Sequence, residues 1–438
     1  MQVWIRRCAL LLLPLGFLAV MVAAPLLSLA FYDGEGAWAE VVADDYMRLR
    51  LGWTVAQAVL TCVLVTALGV PAAWVLARMD FAGRRMVLRL LMLPFVMPTL
   101  VAGMGVLALF GAHGILASGW QDTPWLLIYG NVFFNLPVLV RSAYQGFVRV
   151  PQARLLSAQS LGADAWRRFV WVEWPVVRAW VAGGACLVFL YCFSGFGLAL
   201  LLGGERFATV EVEIYRLVAY ELDMARASVL VWLVLAATAA AGGLYAYWSK
   251  RVAVDKSVSP LPPRAPVRAW EKWLTATVLA MLVLCCLLPL AAVWLKAAAA
   301  GSSWAVLLEA QTWAAAWNTI RFSAAAVAAA TVLGVLYAAA ARQMAWLRAL
   351  MFLPFMVSPV CIAFGVLLLY PQWTASLWLL TATYALLAYP FVAKDVLAAW
   401  DGLPKDYAAA ARTMGANGFQ TACYVGGRLK RVLPTITI

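Results

Sequence analysis

The chain has 438 residues, of which 65% are hydrophobic and only 12% charged, with a formal net charge of +13 and a mean hydropathy of +0.87. A soluble globular domain has about 45–50% apolar and about 25% charged residues, so this composition excludes a soluble enzyme or a soluble binding module. The arginine and lysine surplus has no soluble face on which to gather. That excludes a nucleic-acid footprint and leaves the loop-charge bias of a membrane protein.

The apolar runs are long and do not alternate, which argues for helices over a barrel. The fold class expected is an all-α integral membrane protein. Ten apolar spans follow in order, near 9–31, 53–77, 88–111, 124–142, 177–201, 227–248, 272–295, 316–341, 347–370 and 374–393. Each is long enough to cross a hydrocarbon core of ~30 Å at ~1.5 Å per residue. The first run, Ala9 to Phe31, is too long for the apolar region of a signal peptide and lacks a cleavage site. It reads as a transmembrane helix with its amino terminus in the cytoplasm.

The loops alternate in charge without a break. Arg6/Arg7, Arg78 to Arg89, Arg141 to Arg168, Lys250 to Lys272, Arg342/Arg348 and Lys394 to Arg431 fall on one side. Asp33, Glu35, Asp44, Asp45, Asp122, Glu205, Glu211, Glu213, Glu221, Asp223 and Glu309 fall on the other. The arginine-rich side is expected to be cytoplasmic. The spans themselves hold almost no ionisable residue apart from Arg321.

On the arginine-rich side the loop Pro151 to Pro175, PQARLLSAQSLGADAWRRFVWVEWP, is echoed 253 residues later by Pro404 to Arg428, PKDYAAAARTMGANGFQTACYVGGR. Pro137 pairs with Pro390, and Leu161-Gly162-Ala163 with Met414-Gly415-Ala416, at the same offset. The echo of LPFVMPTLVAGMGVLAL (93–109) in LPFMVSPVCIAFGVLLL (353–369) extends the duplication, and parallel repeats are a habit of transporters. The proline-rich stretch SKRVAVDKSVSPLPPRAPVRAW reads as a cytosolic joint.

The organisation expected is therefore a first helix and periplasmic segment (1–50), a first repeat (51–248) with its loop at 151–175, a linker (249–270) and a second repeat (271–438) with its loop at 404–428. After Pro175 the first half runs two more helices, whereas after Arg428 ten residues remain. By internal symmetry the second repeat lacks its last two helices.

In the first loop Leu155, Ala158, Leu161, Ala165 and Phe169 form an apolar stripe at three- and four-residue steps. Gly162 marks a turn between two short helices, and Pro175 stops the stripe. Small residues and flanking arginines suit a helix that docks into a partner's groove.

Both loops resemble the cytosolic coupling loop of binding-protein-dependent ABC importer permeases: Glu-Ala-Ala, three residues, Gly, nine residues, an aliphatic residue, one residue, Leu-Pro. Ser157, Ala158, Gly162, Val172 and Pro175 match in the first loop, with Leu156 at the glutamate position and Trp174 at the leucine. Ala410, Ala411, Gly415 and Val425 match in the second, with Ala409 replacing the glutamate and Arg428 the proline.

The resemblance implies a tandem repeat of the type I importer permease fold on one chain. It assigns ATPase coupling to Ser157, Ala158, Gly162, Ala163, Pro175, Ala410, Ala411, Gly415 and Ala416. It implies two copies of an ATPase subunit, a periplasmic substrate-binding protein and alternating access in the bacterial inner membrane, with membrane lipid around the chain. No Gly-x-x-x-x-Gly-Lys-Ser/Thr run occurs, so ATP and magnesium are expected on the partner, with no cofactor and no enzymatic activity in this chain.

NVFFNLPVLVRS (131–142), RRFVWVEWPVVR (167–178) and LLGGERFATVEVEIYRLVAYELDMARAS (201–228) resemble the thiamine (thiamine pyrophosphate) permeases within that family. Fused ferric-iron permeases share the architecture and are the alternative, with an ion-coupled secondary transporter or a membrane scaffold behind them.

Thiamine is a flat aromatic cation, which makes Tyr191, Phe193, Phe196 and Phe364 candidates for its path. The acidic segment 203–225 is expected to help dock the periplasmic protein. One histidine, His113, makes a metal site improbable. Seven of the eight cysteines lie in apolar runs and read as packing residues.

Overall fold

The computed structural model describes residues 12–30, 36–116, 119–250, 261–351, 357–374, 376–401 and 413–415. Among them the regular elements are all helices, joined by turns and short extended stretches, with an isolated β-bridge between Met79 and Arg264. Eight helices are long and apolar enough to cross a membrane: Leu12–Leu29, Asp45–Arg78, Pro124–Val148, Ala165–Phe193, Met224–Trp248, Ala269–Ala298, Ala310–Gln343 and Leu377–Asp401. The expected span 88–111 is a bent pair, Arg84–Val96 and Thr99–Phe110, turning through 103°. Pro98, which donates no N–H and disfavours helix in the residue before it, sits at that bend. The expected span 347–370 is represented by the shorter helix Pro359–Leu369, whose first turn is capped by Ser358 Oγ, accepting from the N–H groups of Val360 and Cys361.

Packing order differs from chain order. The helices divide into two compact units, Tyr32–Trp304 in one and Met1–Phe31 with Ala305–Ile438 in the other. In the first unit, Asp45–Arg78, Pro124–Val148 and Trp174–Phe193 all pack against one another, and the last also packs on Met224–Lys250. The segment Leu288–Ala298, placed in the second repeat by the sequence boundaries, packs here against Thr99–Phe110. In the other unit Ala310–Gln343 runs along Leu377–Asp401, and the amino-terminal helix packs on Pro359–Leu369.

The two helices displaced from their sequence neighbours make the same contact. A Cβ on Gly105 would stand 2.7 Å from the carbonyl oxygen of Pro289, and one on Gly365 would stand 2.7 Å from that of Pro25. Only glycine lets the backbones approach so closely.

Three prolines share a local device. Five-residue stretches of wider, π-helical turn cover Ala19–Ala23, Phe169–Glu173 and Val283–Leu287, each ending two residues before Pro25, Pro175 or Pro289. A proline ring clashes with the carbonyl four residues back and offers no N–H, and the wider turn relieves both problems. Pro175 therefore does not stop the helix. Residues 165–193 run through it as one span.

Candidate functional site

The 151–175 loop is built by two helix-end motifs. Helix Gln152–Ser160 ends at Leu161, and Gly162 follows with φ +77°, a left-handed conformation that favours glycine. The Gly162 N–H donates to the Gln159 carbonyl and the Ala163 N–H to the Ala158 carbonyl, both at 3.0 Å. This pair of bonds is the Schellman ending, which satisfies the carbonyls a helix leaves free. Asp164 then caps the next helix, its Oδ1 accepting from the Arg167 N–H at 2.7 Å. The turn predicted at Gly162 is present.

The turn interrupts the apolar stripe: Leu155 is buried and Ala158, Ala165 and Phe169 are half-buried, whereas Leu161, beside the turn, is 87% exposed. Ser157 and Pro175 are exposed, and Ala158 and Ala163 half-buried. Of the second loop only residues 413–415 are described; Ala410, Ala411 and Ala416 lie outside the described residues. Gly415 has φ +80° and Met414 is 82% exposed, repeating the Leu161–Gly162 arrangement.

Beneath the first loop lies an ion pair that the composition of the spans did not foreshadow. Arg78 Nη2 stands 2.8 Å from Glu173 Oε1, both side chains about as buried as the core. Trp74 Nε1 donates to the other carboxylate oxygen at 2.9 Å, and Arg78 also donates to the Phe147 carbonyl at 3.2 Å. The pairing joins residues 95 positions apart, so no local pattern announces it. Asp164, by contrast, carries a local signal: a capping residue just before an apolar run.

The linker adds a strap. Arg264 donates its N–H to the Arg78 carbonyl at 3.0 Å, and its carbonyl accepts from the Asp80 N–H at 2.8 Å. Glu271, buried, accepts from Arg264 Nη2 at 2.5 Å and from the Val267 and Arg268 N–H groups. The strap therefore ties the linker to the end of Asp45–Arg78.

The candidate path residues separate. Tyr191 and Phe196 are half-buried, whereas Phe193 and Phe364 are core residues, 2% and 3% exposed. Tyr191 packs its ring 5.4 Å from Phe95, which lies 5.5 Å from Phe134. Phe196 meets Tyr215 edge-on at 5.4 Å, at the start of helix Phe196–Leu202. The break between Phe193 and Phe196 exposes these rings differently, which helical spacing alone did not separate.

The acidic segment 203–225 is not the surface helix its charges suggested. Val210 to Ile214 are all buried, including Glu211 and Glu213. Glu213 Oε2 accepts from the Tyr46 hydroxyl at 3.0 Å and lies 3.8 Å from Arg216 and 3.9 Å from Arg50. Asp223 receives the Arg226 N–H at 3.0 Å at the start of the next helix. Glu205 and Glu221 remain exposed. Periodicity marks an amphipathic helix but does not say which neighbours will cover it.

The description "binding-protein-dependent transport system inner membrane component" fits residues 66–254, which include the whole first loop. A thiamine transport system permease protein of Salmonella typhimurium is 31% identical over 339 residues, covering 75% of this chain and 61% of that protein. One from Brucella abortus is 35% identical over 239 residues, covering 52% of this chain and 44% of that protein. A crystal structure of a bacterial ABC transporter that imports alginate superposes with a TM-score of 0.49 at 15% identity, over 57% of this chain and 98% of that one. The chain spans about three fifths of the length of the Salmonella relative and under half that of the Brucella one. By the family match residues 66–254 belong to the inner-membrane component family of binding-protein-dependent transport systems, and the chain is similar to thiamine transport permeases.

Proposed function

We propose that this chain is the membrane-spanning subunit of an ATP-driven importer for thiamine or thiamine pyrophosphate in the bacterial inner membrane, with the arginine-rich loops and the amino terminus in the cytoplasm. The two loops each dock on a copy of a separate ATPase, where ATP and magnesium bind. Closure of the two ATPases then rocks the permease between inward-open and outward-open states. A periplasmic binding protein delivers the cargo.

The observation that carries this reading is the repeated pair Leu161–Gly162 and Met414–Gly415. Each presents a large apolar side chain to solvent beside a left-handed glycine turn. A single exposed apolar residue is ordinary. Two at one offset, each on a turn at the arginine-rich side, suit an anchor that fills a partner's groove. The thiamine permeases among the relatives support the cargo, and the half-buried rings of Tyr191 and Phe196 suit an aromatic cation.

The test is reconstitution of the chain with its ATPase and binding protein in proteoliposomes. Thiamine-stimulated ATP hydrolysis and thiamine uptake are expected, and Leu161→Glu and Met414→Glu should each release the ATPase. An ATPase that stays bound to both variants, or hydrolysis indifferent to thiamine, would overturn the docking or the cargo respectively.

A further inference from the structure

A cavity of ≈ 490 Å³ opens between helix Gln152–Ser160, the end of Asp45–Arg78 and the linker strap. Its charged lining comprises Arg78, Arg168, Arg264 and Arg268 with Glu173 and Glu271. Both carboxylates are committed. Glu173 holds Arg78 and Trp74, and Glu271 holds Arg264 and two backbone N–H groups. Four guanidiniums against two carboxylates leave two positive charges in excess.

The donors are also incompletely used. Arg168 reaches only Gln159 Oε1, at 3.3 Å, and its Nε is a buried donor with no acceptor. Arg78, with a side chain 6% exposed, leaves Nη1 likewise without an acceptor. Buried donors without partners are costly, and guanidinium forks match the oxygens of a phosphate group better than any neutral ligand. Trp74 and Trp270, stacked with ring centroids 6.1 Å apart, make one wall.

We infer that this cavity binds a phosphate-bearing anion, either a soluble phosphate compound or the headgroup of an anionic phospholipid, and that the bound anion clamps the linker strap to the 151–175 loop. Glu173 lies on that loop and Arg264 on the strap, so an occupant touching Arg168 and Arg268 ties the two segments across the cavity. The site is separate from the cargo path and does not depend on the identity of the cargo.

The experiment uses the full chain in nanodiscs of phosphatidylcholine, with and without phosphatidylglycerol, and with inorganic phosphate as the soluble probe. Retained lipid is counted by native mass spectrometry and phosphate by equilibrium dialysis. The wild type should retain about one phosphate-bearing anion at this site. The pair Arg168→Gln/Arg268→Gln should lower its affinity by roughly ten-fold or more, and the pair Arg168→Lys/Arg268→Lys should keep most of it.

Retention of phosphatidylglycerol alone supports a lipid headgroup, and saturable phosphate binding without phosphatidylglycerol supports a soluble anion. Equal retention by wild type and the glutamine pair would overturn the site, as would no retention by the wild type. Amide exchange of the wild type gives a reading that needs no variant. Residues 152–168 and 261–271 should both gain protection on adding the anion, and no change in either would refute the clamp.

Discussion

The two halves of this chain use the same helix contacts but anchor their arginine-rich ends differently. In the first half Arg78, the last residue of its helix, pairs with the buried Glu173 of the loop, and the strap at Arg264 is stitched alongside. In the second half the sequence RMDF of residues 78–81 is replaced by QMAW at 343–346, and the position 253 after Glu173 is Gly426. The pair is absent by composition. What is found there instead is an ion pair between Arg348 and Asp401 at 2.9 Å, with both side chains 44% exposed. An exposed pair contributes ~0–1 kcal/mol, whereas a buried pair is expensive to break because the survivor is stranded. The duplicated scaffold has thus kept its helix packing and diversified its loop anchorage.

This difference makes the largest prediction. Glu173→Gln should destabilise the first half by ~3–5 kcal/mol, since Arg78 would remain buried without a counter-charge. Arg78→Gln/Glu173→Gln, which takes the first half toward the second half's composition, should recover much of that loss. Arg348→Gln should change the unfolding midpoint little. Thermal unfolding in detergent measures all three, and an Arg348 variant as damaging as Glu173→Gln would erase the contrast.

The next prediction concerns what the halves share. Gly105→Ala and Gly365→Ala each push a methyl group against a proline carbonyl at 2.7 Å, and each should cost ~1–3 kcal/mol through forced backbone shift. Similar losses are expected from both. A tolerated Gly365→Ala beside a damaging Gly105→Ala would show that the two contacts are not equivalent.

A smaller loss of stability than at these two contacts is expected at the turns. Nothing stands within 4 Å of a Cβ placed on Gly162 or Gly415, so alanine there meets only the left-handed backbone, at ~1–2 kcal/mol. Asparagine, which tolerates that conformation better, should cost less at both positions. If the turns transmit ATPase closure, the alanine variants should lose uptake out of proportion to their stability. Uptake and the unfolding midpoint falling in step would reduce both turns to structural elements.

Much of this architecture was legible in the chain. Long apolar runs dictate spanning helices because lipid leaves no other partner for backbone groups, and nine of the ten runs find a spanning helix or the bent pair, the run 347–370 only the 11-residue helix Pro359–Leu369. A glycine between two short helical patterns gave the turn at Gly162, since its conformational need is local. Asp164 could have been read by the same means. Other features depend on neighbours that spacing does not reveal. Glu173 finds Arg78 across the bundle, Glu213 finds Tyr46 and Arg50, and Phe193 is fully covered while Tyr191 is only half-buried. The grouping of Leu288–Ala298 with Thr99–Phe110, and of the amino-terminal helix with Pro359–Leu369, likewise follows from packing. Helix identity is written in local composition and period, which a chain carries with it. Partner choice, burial of charge and the covering of a face are properties of assembled surfaces, and they exist only once distant segments have met.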